Sequence, residues 1–157
     1  MKPATISEIK RELRNSTVDE LTELCLQLSK FKKENKELLT YLLYEASDEQ
    51  AFIEGIKNEM DDEFKLINRT SYYYIKKSLR KILRSIKKYI RFSKKKETEV
   101  ELLTYFCKKL KQLAPEMHKS IALNNLYFRQ IALITKAISS LHEDLQYDYL
   151  EELKSLK

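Results

Sequence analysis

A single glycine, Gly55, serves all 157 residues of this chain, and only two prolines, Pro3 and Pro115, accompany it. Tight β-hairpins draw on Asn-Gly, Asp-Gly or Gly-Gly pairs to reach positive φ, and none of these pairs occurs here. Leu, Lys, Glu and Ile dominate instead. Their apolar members recur at i, i+3, i+4 and i+7, the spacing of helices that bury one face. The expected fold class is all-α. At this length a single domain with one core is the simplest organisation, spanning residues 1–157 as a compact array of about 7–8 antiparallel helices. A helical-hairpin bundle is expected, with a HEAT-like α–α superhelix as the alternative.

Capping signals divide the chain. Thr5 and Glu8 open a helix over residues 6–14. Ser16 or Thr17, followed by Asp19 and Glu20, opens a second that reaches Phe31, with Val18, Leu21, Leu24, Cys25 and Leu28 as its core stripe. A third follows near 34–46, with Leu38, Leu39, Leu42 and Leu43 inward. Ser47 and Gln50 read as the cap of a fourth, near 48–68, whose stripe is Phe52, Ile53, Ile56, Met60, Phe64 and Ile67. Gly55, in its middle, is expected where a neighbouring helix comes close. Thr98 and Glu101 read as the cap of a sixth helix, with Val100, Leu103, Phe106, Cys107 and Leu110 inward, and Ala114-Pro115 stops it. A seventh spans about 117–139, and Ser140 with Glu143 caps an acidic eighth that reaches about Leu156, with a single long kinked helix as the alternative. The pentapeptide at 37–41 recurs at 101–105, but its flanks do not align, and it reads as coincidence in a Leu- and Glu-rich chain.

The fifth helix, from Tyr72, carries the functional signal. Ile75, Leu79, Ile82, Leu83, Ile86 and Ile90 form its apolar arc. Lys76, Lys77, Arg80, Lys81, Arg84, Lys87, Lys88 and Arg91 fill the opposite one, and Lys94, Lys95 and Lys96 extend the charge past its end. No Asp or Glu occurs from Lys65 through Lys96, while thirteen Lys or Arg do. Without those thirteen the chain would hold 17 basic against 24 acidic residues, so its overall +6 hides a polarised molecule. Like charges at i and i+4 destabilise an isolated helix by a few tenths of a kcal/mol per pair; core packing or an anionic partner must offset that. The acidic fourth helix lies only three residues upstream, at Arg69–Ser71, so the two are expected to be antiparallel neighbours with paired flanks.

Other chemistries find little support. His118 and His142 have no second His or Cys at ligand spacing, so no metal site is expected. Asp61, Asp62 and Glu63 lack the calcium-loop pattern and read as solvated charge, with Glu63 close to the apolar stripe. No phosphate-cradling glycine loop or nucleophile elbow is present, and neither an enzyme nor a cofactor is expected. Cys25 and Cys107, on apolar faces, read as reduced core residues. With no signal-like leader and no run of 18 apolar residues, a cytoplasmic protein without a transmembrane segment is expected. Contact with a membrane surface is not expected, because it would need the fifth helix to leave the core.

The expected function is non-catalytic. The basic helix is presented to a polyanion, above all a nucleic-acid backbone read without sequence specificity. Tyr73 projects onto its cationic side, and Tyr74 and Phe92 lie at its edge, where they could stack on bases. The alternative is a protein-interaction module that offers the same face to an acidic protein partner.

Overall fold

The structure, a computed structural model, describes residues 1–156. Among them are eight α-helices and no strand. They are α1 (Ile6–Arg14), α2 (Val18–Phe31), α3 (Lys33–Thr40), α4 (Glu49–Lys65), α5 (Tyr72–Ser93), α6 (Lys96–Lys111), α7 (Ile121–Ile138) and α8 (Glu143–Lys154). A π-helical turn, Tyr41–Glu45, follows α3, and a 3-10 turn, Met117–Lys119, precedes α7. The chain separates into two compact units, Met1–Tyr44 and Glu45–Lys157.

In the first unit the predicted caps form. The Thr5 and Thr17 hydroxyls accept the backbone N–H of Glu8 and Glu20 at 3.3 and 3.2 Å. The two carboxylates reach back to the Thr5 and Thr17 N–H, each at 2.7 Å. These hydrogen bonds hold both glutamates below the usual carboxylate range. The Asn35 amide donates to the Leu28 carbonyl at 2.8 Å and ties the start of α3 to the last turns of α2. The predicted α2 stripe, however, is not a core. Val18, Leu24, Leu28 and Cys25 are exposed, and so are Leu42 and Leu43. Within this unit the main packing is α2 against α3, and two short helices cover only part of each other's apolar faces.

In the second unit the centre is α6, not α5. It packs against α4, α5 and α7, and a helix touched by three neighbours buries more than one stripe. Leu102 and Thr104 are therefore buried beside the predicted Val100, Leu103, Phe106, Cys107 and Leu110. The Phe64 and Phe106 rings meet edge-on at 5.6 Å between centroids, linking α4 to α6. The predicted α4 stripe is buried in full, Phe52 through Ile67. Tyr127 of α7 donates to the Leu156 carbonyl at 2.6 Å, and Lys108 of α6 pairs with Glu152 of α8, so the C-terminal end of the last helix is fastened to α6 and α7.

Three predicted caps are corrected. Asp48, not Ser47, caps α4 by accepting from Ala51 N–H at 3.0 Å. Thr98 lies inside α6, buried, and its hydroxyl donates to Glu49 at 2.6 Å instead of capping. His142, not Ser140, is the cap of α8. At α4 and α8 a second polar residue close by takes the role, and spacing alone does not separate the candidates; α6 starts after Lys95 with no side-chain cap. Gly55 is corrected too: a Cβ built there would meet nothing within 4 Å. No close approach requires this glycine, which costs α4 about 1 kcal/mol against alanine.

Candidate anion-binding groove

The Ser71 hydroxyl accepts from Tyr74 N–H at 3.4 Å and starts α5. At its other end Lys94 adopts φ 60° and closes the helix through its N–H to the Ile90 carbonyl at 2.9 Å. Tyr72 donates to the Glu116 carbonyl at 3.2 Å, which fixes the start of α5 against the loop leading into α7. Ile75, Leu79, Ile82, Leu83 and Ile86 are buried as the spacing predicts. That burial sets the roll of the helix and turns one row of its cations toward α7.

The result is a groove of about 1060 Å³ between α5 and α7. Lys76, Arg80, Arg84 and Lys87 form one wall, a row roughly 16 Å long at 1.5 Å per residue. Arg129 and Lys136 stand on the opposite wall. Between them the floor is largely aliphatic, with Leu83, Ala122, Leu126, Ala132 and Leu133. Gln130 is buried at this floor; its Nε2 donates to the Leu126 carbonyl at 2.9 Å, and its Oε1 has no partner among the described residues. Among the described residues no carboxylate lines the groove. Among the described residues none of the six cations has an ion-pair partner. Charges set this close, within the ~10 Å screening length of moderate salt, add their potentials in the cleft.

The other predicted cations divide by position. Lys77 and Lys81 are exposed outside the groove, with Lys81 near enough to Glu63 to act on its titration. Lys88 sits over the Tyr89 ring, 4.8 Å from the centroid. Arg91 and Lys94 are exposed at the helix end. Lys95 pairs with Glu49 at 3.0 Å and Lys96 with Glu99 at 2.7 Å, so these two fasten the α5–α6 turn. Tyr73 is exposed and meets Tyr74 edge-on at 5.3 Å, but neither lines the groove. Phe92 is buried edge-on against Tyr89, which removes it as a stacking platform.

Among the described residues the acids of α4 are engaged by α4 itself, α5 and α6, and not by the cations of the groove. Asp61, far from being free charge, accepts from Tyr105 Oη at 2.8 Å and Lys109 Nζ at 2.9 Å. The Lys109 hydrogen bond holds its carboxyl below the usual range. Lys57 bridges Glu54 at 2.9 Å and Glu101 at 3.1 Å. Toward α5, Glu59 accepts from Tyr89 Oη at 3.1 Å. Partial burial, then the nearby Glu59, raises Glu63, with Lys81 opposing.

Arg129 and Lys136 escaped the sequence reading, though a signal existed. They are the only basic residues from Ser120 through Ser140, a stretch with no acid, and they stand seven apart on one helical face. Among the described residues no cluster of His, Cys, Asp and Glu is placed to hold a metal ion, and no helix is long and apolar enough to cross a membrane. Set against known proteins, the chain matches no family model, and no curated protein or solved structure shows significant similarity to it.

Proposed function

We propose that the Glu45–Lys157 unit is a non-catalytic binding module that holds a nucleic-acid backbone, without sequence specificity, on the cations of α5 and α7. One observation carries the reading: six Lys and Arg side chains converge on a groove that, among the described residues, no carboxylate lines. Such a surface repels itself unless an anion occupies it, and phosphates that enter it release their counterions. A groove suits a single strand better than a duplex, whose width exceeds the space between two neighbouring helices. Base-edge readout is not expected, because the floor offers aliphatic groups and few donors.

The test is a titration of a labelled single-stranded oligonucleotide over a salt series. With up to six phosphates neutralised, log K against log salt should fall with a slope near −4, at roughly −0.7 per phosphate. Absence of binding at low salt rejects the reading. The aliphatic floor supports a second one, in which an acidic amphipathic helix from a protein partner lies in the groove. An acidic amphipathic peptide that binds where the oligonucleotide does not would select it.

A further inference from the structure

We propose that the α2–α3 hairpin is a self-association surface, whose apolar face docks the same face of a second copy about a two-fold axis, with the two α2 helices antiparallel and Cys25 beside the axis. The Met1–Tyr44 unit has unused apolar surface. Twelve of the twenty exposed large hydrophobic residues fall within it, and Tyr41 is its one buried residue. A helical unit this small lies near the size at which metals, disulfides or oligomerisation supply what a core does not. An apolar hollow of about 230 Å³ opens between α2 and α3, with Cys25, Leu28, Leu38, Leu39 and Leu42 around it.

The charge pattern identifies what covers this face. Basic and acidic residues nearly balance here, 8 against 7, whereas the rest of the chain holds 22 against 17. Two copies can therefore meet at this unit without strong repulsion. Along α2 the charges are segregated, with Asp19, Glu20 and Glu23 in the first half and Lys30, Lys32 and Lys33 at the end and just beyond. Antiparallel pairing sets the acidic half of each helix beside the basic end of the other and opposes their dipoles. Parallel pairing would set like beside like. A two-fold contact of this kind closes on itself and stops at a dimer. The midpoint of α2 falls between Leu24 and Cys25, so full overlap puts each Cys25 next to its symmetry mate, across helix axes about 8–10 Å apart.

The experiment uses the full chain under reducing conditions. Sedimentation or light scattering should report a dimer that dissociates on dilution. Leu28→Glu combined with Leu42→Glu should give a monomer with unchanged circular dichroism, since both side chains are more than half exposed, at 60% and 56%. A short bismaleimide should link two chains through Cys25, and Cys25→Ser should remove the link without affecting the dimer. Cys107 serves as the internal control: it is buried, and burial pushes its thiol up to about 12. A wild-type chain that stays monomeric when concentrated overturns the proposal and leaves the face to a different protein. A dimer that survives the double substitution, or that gives no Cys25 link, overturns it as well.

Discussion

Reversal of Arg80, Arg84, Arg129 and Lys136 to Glu in one variant is expected to lower affinity for a single-stranded oligonucleotide by about a hundredfold or more at low salt. The variant should stay folded. All four side chains are exposed, and none has an ion-pair partner among the described residues. Surface changes of this kind usually shift stability by no more than about 0.5 kcal/mol each, and here they also relieve like-charge crowding across the groove. A control variant, Lys2→Glu, Lys10→Glu, Arg14→Glu and Lys32→Glu, changes the net charge by the same amount but leaves the groove intact. It should bind nearly as the wild type does. Equal losses in the two variants would mean that overall charge, not the α5–α7 arrangement, governs binding.

The second large effect concerns the fold. Phe106→Ala is expected to destabilise the Glu45–Lys157 unit by about 3–5 kcal/mol. Phe106 is fully buried on α6 and meets Phe64 of α4 edge-on. Its removal opens a cavity where α6 packs against its neighbours, and rigid helices cannot close on it completely. Domains are stable by only about 5–15 kcal/mol, so a large part of the unit's stability is at stake. Urea denaturation followed by circular dichroism measures the loss. Leu133→Ala, on the exposed face of α7 at 36% exposure, should cost less than about 1 kcal/mol by the same assay. A Phe106→Ala loss as small as that would mean that α6 is not the centre of the unit.

The near absence of glycine and proline was enough to indicate helices, and apolar spacing located the buried face of α4 residue by residue and most of that of α5, where Ile90 is only half-buried and Phe92 is buried instead of edging the cationic side. The same spacing misled at α2. Leu24, Cys25 and Leu28 recur like core residues, yet periodicity reports only that a face is apolar, not that anything covers it. At α6 the error ran the other way, because a helix surrounded on three sides buries Leu102 and Thr104 off its main stripe. Half of the candidate site was legible. The α5 cations stand in one block, but which of them meet α7 depends on the roll of α5, fixed by tertiary packing. Arg129 and Lys136 become a wall only when α7 is brought beside α5. The engagement of Asp61 by Tyr105 and Lys109 joins residues more than forty apart, beyond the reach of any local pattern.

The central claim is that the groove between α5 and α7 receives the phosphates. Amine acylation read by mass spectrometry, with and without a saturating single-stranded oligonucleotide, tests it most directly. Lys76, Lys87 and Lys136 should be protected in the complex, while Lys33 and Lys154, outside the groove, should react at the same rate with and without ligand. Unchanged reactivity at Lys76, Lys87 and Lys136 in a saturated complex would contradict the account.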